Sequence, residues 1–349
     1  HEAVTVEEGR ERLRAGMWLL VREASGARNL DALLPLVQEY GPGRIAFCTD
    51  DREPEHVAEE GHVNAMVRQA VAGGVAPEDA VAMATLNPST WHGLAEHGAV
   101  APGYKADLLL LPDLERFVPE LVLKNGRRIG EIPRPEVPDW VRHTVRIGHV
   151  GRGGLELERV GDGKVRVIGI VPDQIVTELL EEEPTVRDGH IVADPERDLA
   201  KIAVVERHLG TGRVGAGLVR GFGLRSGAFA TTVAHDAHNV VAVGVDDDDI
   251  LRAVQRLTEI GGGVVVVEHR GVRAELPLPV AGLLSAETAE EVVAATEECL
   301  EAARALGCTL NSPFQTLSFL ALSVIPALKI TDQGLVDVNR FELVPLEVA

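Results

Sequence analysis

Arg44-Ile45-Ala46-Phe47-Cys48-Thr49-Asp50-Asp51-Arg52 follows a Gly41-Pro42-Gly43 turn. Its apolar run reads as a short buried strand. The run stops at two carboxylates and an arginine, which places them at the C-terminal tip of the strand. In a (β/α)8 barrel that end of each strand carries the chemistry. An aspartate there can hold a divalent cation and accept a proton from the attacking water. A plainer reading is equally open from position: Asp50 or Asp51 caps the helix that follows.

Upstream, Thr5 and Glu8 have capping-box spacing and start a helix that runs to about Leu13 and is closed by Gly16. Residues 17–21 form a buried strand ending in Arg22-Glu23-Ala24-Ser25, and a second helix is expected over residues 30–39. Strand and helix thus alternate with parallel-sheet logic, in too few units to close a barrel. Downstream, residues 55–71 and 77–86 read as helices, the second opened by Pro77-Glu78-Asp79. Met83, Leu86, Trp91 and Leu94 read as core, and His56, His92 and His97 as structural. His62, next to Gly61 near a helix start, reads first as a surface or capping residue and second as a site-lining one.

The chain has 349 residues, enough for two or three domains, and is 45% hydrophobic. Apolar runs such as residues 108–111 and 264–267 are strand-sized, so no membrane partner is expected. No signal peptide is visible; the chain opens on His rather than Met, and a missing or processed N-terminus is expected. The formal net charge of −20 disfavours nucleic-acid binding, and 3% aromatics argue against a base-stacking platform. Cys48, Cys299 and Cys308 show no CxxC pattern, which suits reduced thiols in a cytoplasm.

Phe47-Cys48-Thr49-Asp50-Asp51-Arg52, then Glu60-Gly61-His62 and Met83-Ala84-Thr85-Leu86-Asn87-Pro88, resemble the last barrel strand and helix of adenine deaminases of the amidohydrolase superfamily. The resemblance continues through Gly103-Tyr104-Lys105-Ala106-Asp107, Ala234-His235-Asp236-Ala237-His238-Asn239, Ala281-Gly282-Leu283-Leu284-Ser285 and Leu328-Lys329-Ile330-Thr331-Asp332. It implies an α/β fold in three parts. Residues 1–97 would be the C-terminal part of a metal-dependent (β/α)8 barrel, residues 98–132 the remnant of a small β-sandwich, and residues 133–349 an α+β C-terminal domain.

The same resemblance implies that His1 and Asp50 are metal ligands and that Asp50 and Asp51 do the acid–base work. Arg22, Glu23 and Ser25, at the preceding strand tip, would orient the substrate. Read the other way, the doublet makes Asp51 the ligand. The family's His-x-His pair, bridging Glu and further barrel His have no counterpart, so the chain resembles the C-terminal part of a longer enzyme. The implied reaction is hydrolysis of adenine, a small-molecule purine, to hypoxanthine and ammonia in purine salvage. It would use one or two divalent ions, Mn or Fe. This piece alone is expected to be inactive, and a homo-oligomer is expected. Two competing readings are another amidohydrolase of cyclic amides or amidines, and a non-catalytic fragment or subunit that needs an N-terminal partner.

Residues 98–111 read as a turn feeding a strand, and residues 118–127 as a hairpin turning at Asn125-Gly126, with Asp107 in a structural turn contact. Pro133, Pro135 and Pro138 read as a linker. Short β-like segments follow at residues 145–147, 155–157, 165–170 and 202–206. Residues 214–224 interleave glycine with Val and Leu in an order that matches neither GxGxxG nor a P-loop.

Residues 228–244 place His235, Asp236, His238 and Asn239 between two strand-like stretches. Left to itself this polar knot reads as a turn satisfied by backbone; a two-histidine, one-carboxylate metal site is a weaker reading. The resemblance implies that the four residues help to enclose the purine. The acids at 246–249 open an amphipathic helix and are expected to be solvated. A long helix follows at 286–306, capped by Gly307.

Overall fold

The structure, a computed structural model, describes residues 1–132, 136–172 and 174–348. The chain divides into two compact units, His1–Glu136 and Val137–Ala349. Pro133 and Pro135 of the expected linker lie outside the described residues. Among the described residues no helix is long and apolar enough to cross a membrane.

In the first unit, α1 (Val6–Arg14) carries the full capping box: Thr5 Oγ1 accepts from the Glu8 N–H, and the Glu8 carboxylate accepts from the Thr5 N–H. Strand β1 (Leu19–Arg22) pairs in parallel with β2 (Ile45–Cys48), with Leu19 opposite Ile45 and Arg22 opposite Cys48. The helix expected between them is broken into α2 (Leu30–Leu33) and α3 (Pro35–Tyr40), because Pro35 has no N–H to continue the ladder. The helix expected over residues 55–71 is likewise two, α4 (Pro54–Glu60) and α5 (Val63–Ala72), parted at Gly61 with φ +99°. Helices α6 (Pro77–Ala84) and α7 (Leu86–Trp91) follow.

Leu19, Val21, Leu30, Leu33, Leu36, Ile45, Phe47, Met66 and Met83 form the core of this unit. Leu86, Trp91 and Leu94, read as core from sequence, are exposed. Asn87 explains its own place in the motif. Its buried amide donates to the carbonyls of Pro42 and Ile45, each at 2.7 Å, and so pins the start of β2.

Two strands do not close a barrel, and none is closed among the described residues. The expected sandwich is represented by one three-stranded antiparallel sheet, β3 (Leu108–Leu110), β4 (Leu121–Lys124) and β5 (Arg127–Arg128). Its hairpin turns at Asn125 and Gly126, both left-handed at φ +50° and +76°. Asp107 ties that turn, accepting from Asn125 N at 2.8 Å and pairing with Lys124.

The second unit is built on one open eight-stranded sheet. Before and beside it lies a small sheet of β6 (Leu157–Glu158), β9 (Thr185–Arg187) and β10 (His190–Val192). The main sheet comprises β7 (Val165–Ile170), β8 (Thr177–Glu182), β11 (Leu199–Val205), β12 (Val214–Arg220), β13 (Ala228–Thr231), β14 (Val240–Gly244), β15 (Gly263–Glu268) and β16 (Gly271–Pro277). Their spatial order is β16-β15-β13-β14-β11-β12-β7-β8, antiparallel except where β7 meets β12. Residues 145–147, read as β-like, form no strand.

Period-two alternation sorts the two faces. Ala203, Val205, Ala230, Ala242 and Val265 pack under α8 (Asp247–Ile260). Ile202, Val204, Phe229, Val241, Val243 and Val266 face the other way. There they meet α9 (Ala289–Ala305), α10 (Pro313–Leu320) and the hairpin of β17 (Leu328–Thr331) and β18 (Gly334–Asp337), which β19 (Glu342–Val344) extends.

The acids opening α8 are not simply solvated. Asp246 caps the helix, Asp247 pairs with Lys201, Asp248 with Arg152 and Arg270, and buried Asp249 accepts from the N–H groups of His269 and Arg270. The glycines of residues 214–224 serve close approach: a Cβ on Gly215 would lie 2.0 Å from the Thr331 carbonyl oxygen and 2.7 Å from the Gly334 nitrogen. Gly215→Ala must push β12 and the β17–β18 hairpin apart. It is expected to cost about 3 kcal/mol, read as a lowered urea midpoint at unchanged slope; an unchanged midpoint refutes the close approach.

Candidate active site

Parallel pairing of β1 with β2 brings two strand tips together, and their polar residues meet there. Asp50 Oδ2 accepts from Arg22 Nη1 at 3.1 Å and lies 3.9 Å from His1 Nε2. Arg22 Nη1 also reaches Glu2 Oε1 at 3.2 Å, and His1 Nδ1 reaches the same carboxylate oxygen at 2.5 Å. Arg22 is 9% exposed, whereas the Asp50 side chain is 30% exposed. The arginine is therefore a buried base plate and the carboxylate its accessible edge. Asp50 has φ +53°, a left-handed backbone that turns it out of the strand line. Neither Asp50 nor Asp51 caps the next helix: α4 starts after Glu53, whose N–H donates to Ser25 Oγ at 2.8 Å. The Asp51 carbonyl accepts from Ser25 N at 3.0 Å, tying the two tips together through backbone.

The other residues of the β1 tip have distinct roles. The Glu23 carboxylate turns inward and accepts from Leu30 N at 3.0 Å; burial pushes its pKa up against that hydrogen bond. Arg52, its side chain 2% exposed, bridges the Glu23 carbonyl at 3.1 Å and Glu60 at 2.5 Å. Ser25 Oγ lies 2.7 Å from His56 Nδ1, so His56 belongs to this cluster and is not the isolated structural residue its spacing suggested. His62 Nε2 lies 3.2 Å from Thr49 Oγ1; burial, and then the charge of Arg52, lower its pKa. Burial also pushes the Cys48 thiol up to about 11, so it stays protonated at neutral pH. A cavity of about 560 Å³ in this unit, lined among others by Val67, Val81, Leu108 and Phe117, includes none of these tip residues.

The polar knot of the second unit is a β13–β14 connection. The Ala234 N–H donates to His238 Nδ1 at 3.3 Å, and the His238 N–H returns to the Ala234 carbonyl at 2.6 Å. Burial, and then His235, lower the His238 pKa. His235 stacks on Phe319, ring centroids 4.8 Å apart, while Asp236 is exposed.

Asn239 is buried and accepts from Arg207 N at 3.3 Å. Arg207, 2% exposed, donates to the carbonyls of His238 and, at 3.2 Å, Ala281; burial lowers its pKa. His208 Nε2 is 2.7 Å from the Ala237 carbonyl. Burial pushes the Glu206 carboxyl up, but N–H donation from Thr211, Leu209 and His208 outweighs it and holds the pKa at about 2. Sequence periodicity flagged none of Glu206, Arg207 or His208, because their partners lie far away in the chain.

Residues 174–342 match the family described as the adenine deaminase C-terminal domain, and residues 10–129 match the amidohydrolase family. The chain is 44% identical to an adenine deaminase of Desulfatibacillum aliphaticivorans, over 99% of its own length and 62% of that protein's. It is 45% identical to adenine deaminase 2 of Carboxydothermus hydrogenoformans, over 100% of its length and 62% of that protein's. Against an adenine deaminase of Methanothrix thermoacetophila the identity is 44%, over 99% and 61% of the two lengths. Over nearly its whole length the chain is thus similar to adenine deaminases. It spans about 62% of the length of the curated adenine deaminases it matches.

Against that adenine deaminase background, the metal-binding capacity of the tip is partial. An imidazole nitrogen and a carboxylate oxygen, from His1 and Asp50, suit a borderline divalent ion. Among the described residues, however, no group of three or more His, Cys, Asp or Glu is placed to hold one. Protein metal sites ordinarily need about three ligands. The His235–Asn239 knot supplies no such site either: His238 Nδ1 already takes a backbone N–H, and Asp236 faces outward.

Proposed function

We propose that this chain carries part of the active site for hydrolytic deamination of adenine to hypoxanthine and ammonia. The observation that supports it is the meeting of Asp50, Arg22 and His1 at the joined tips of two parallel strands. The similarity suggests the substrate: the matched relatives are named adenine deaminases. On this reading a divalent cation, Mn or Fe as one or two ions, supplies Lewis acidity that makes water a nucleophile at neutral pH. His1 and Asp50 would supply two of its ligands.

The steps assigned to this chain are proton transfers and positioning. Water attacks the purine carbon bearing the amine; Asp50 accepts the water's proton and returns it to the leaving amine. Arg22 holds Asp50 in place through its hydrogen bond and aims it. Asp51 is a supporting acid, and Ser25 orients the ring through its hydroxyl. Glu23 contributes by holding the start of α2. His235, Asp236, His238 and Asn239 belong to a second element that helps to enclose the purine. We further propose a cytoplasmic place in purine salvage and a homo-oligomer; exposed Leu109, Leu110 and Val118 support assembly.

The test follows adenine loss by ultraviolet absorbance with added Mn2+. It compares the 349-residue chain with a version extended by the N-terminal segment that the relatives carry. Turnover in the extended protein alone supports the reading. Turnover in neither overturns the substrate assignment and favours another cyclic amidine or a non-catalytic subunit. Turnover in the 349-residue chain overturns the ligand assignment.

A further inference from the structure

Ser25 is fixed by two neighbours of different kinds. The Glu53 backbone N–H can only donate, so at 2.8 Å it occupies one lone pair of Ser25 Oγ. His56 Nδ1, at 2.7 Å, is either acceptor or donor, depending on which ring nitrogen carries the proton. A hydroxyl has one proton and two lone pairs, so the choice at His56 decides what Ser25 has left to offer a ligand.

Two observations favour the acceptor role for Nδ1. Ser25 is half-buried, and a half-buried hydroxyl proton needs an acceptor; His56 Nδ1 stands at hydrogen-bond distance. Glu53 Oε2 lies 4.0 Å from Nδ1, beyond hydrogen-bond distance, so Ser25 Oγ is the hydrogen-bond partner of that nitrogen. Around them, Arg52 and Arg28 are already committed to Glu60.

We infer that His56 sets the hydrogen-bond polarity of Ser25: Nδ1 takes the hydroxyl proton, and Ser25 meets a ligand with a lone pair. The ring is then the Nε2–H tautomer. This deepens, and rests on, the reading of Ser25 as a substrate-orienting residue. An acceptor at that point matches an exocyclic amine, which brings N–H donors. It mismatches the carbonyl that replaces the amine in the product. His56 acts through Ser25 as a positioning residue that makes the site prefer an aminopurine over its oxo product and so favours product release. No bond is made or broken by the pair.

The experiment has two readouts. In the 349-residue chain, nitrogen-15 NMR of His56 on its neutral form reports which ring nitrogen bears hydrogen, with Ser25→Ala as the control. In the extended enzyme, KM for adenine and the inhibition constant for hypoxanthine are compared among wild type, His56→Ala and His56→Asn; the Asn side-chain oxygen keeps an acceptor near the Nδ1 position.

The expected results are an unprotonated Nδ1, lost in Ser25→Ala as a tautomer mixture, and an adenine-over-hypoxanthine preference that narrows about tenfold in His56→Ala, one hydrogen bond's worth. The preference returns in His56→Asn, a rescue that a merely structural role would not give. A protonated Nδ1 overturns the inference whatever the purines do. An unprotonated Nδ1 with an unchanged preference in His56→Ala overturns the specificity role. Failure of the wild-type extended enzyme to bind either purine, with Nδ1 unprotonated, overturns the purine reading instead.

Discussion

Asp50→Asn in the extended enzyme is expected to lower adenine turnover by about a thousandfold, within the range that general acid–base groups contribute. The substitution separates chemistry from fold unusually well here. Asp50 has φ +53°, and Asn is among the few residues that tolerate the left-handed region, so the backbone stays as it is. The side-chain shape is kept, while the negative charge and the basic oxygen are lost. Arg22 retains Glu2 at 3.2 Å, so its buried guanidinium is not left without an anion.

Thermal midpoints of the two proteins should therefore agree within a few degrees while turnover collapses. Asp50→Ala, by contrast, adds backbone strain of about 1 kcal/mol and mixes the two effects. The doublet gives the deciding control. If Asp51→Asn abolishes turnover and Asp50→Asn does not, the ligand and base lie one residue further on. If neither lowers turnover, the strand-tip site is wrong.

The strand tip was legible because two local signals coincide in it: an apolar run short enough for a buried strand, and carboxylates at its end. The pairing of β1 with β2 followed from the alternation of strand and helix. The helix breaks at Pro35 and Gly61 were local too, and ordinary punctuation rules would have placed them. What sequence could not reach is what depends on distant partners. His56 has no periodic relation to Ser25, 31 residues away, and reads as isolated until the two strand tips meet.

Arg207 is invisible for the same reason, since it is held by carbonyls at His238 and Ala281. The acids at 246–249 misled because a charge run usually means solvent, whereas here four basic or backbone partners converge on them from elsewhere in the unit.

Lys329 shows how far a motif can outrun its sequence. Its segment Leu328-Lys329-Ile330 reads in sequence only as a family motif; it is a strand, and the lysine side chain is wholly buried. Its Nζ donates to the carbonyls of Ile175, at 2.8 Å, and Phe319, at 3.0 Å; Phe319 is the residue whose ring stacks on His235. Burial lowers its pKa from the ordinary 10.5 to about 8.

The sign follows from proton counting. Between pH 8 and 10.5 the unfolded chain holds a proton on this amine that the folded chain has shed. Unfolded binds more, so this group's contribution to stability rises with pH across that window. Below pH 8 the penalty of burying the ammonium is carried in full, about 3 kcal/mol.

Buried thiols work the other way. Cys299, pushed up to about 12 by burial, stays protonated in the fold after the unfolded thiol has ionised, so its contribution falls above pH 9. Only a difference between proteins isolates the lysine. Lys329→Met keeps the volume and removes the titration, at the cost of two carbonyls left without a donor. Urea unfolding of both proteins from pH 7 to 10.5 should show the wild type gaining about 3 kcal/mol relative to Lys329→Met, most of it above pH 8. Parallel stability curves would mean that the amine titrates as it does in water, and that the two carbonyls hold it charged at no cost.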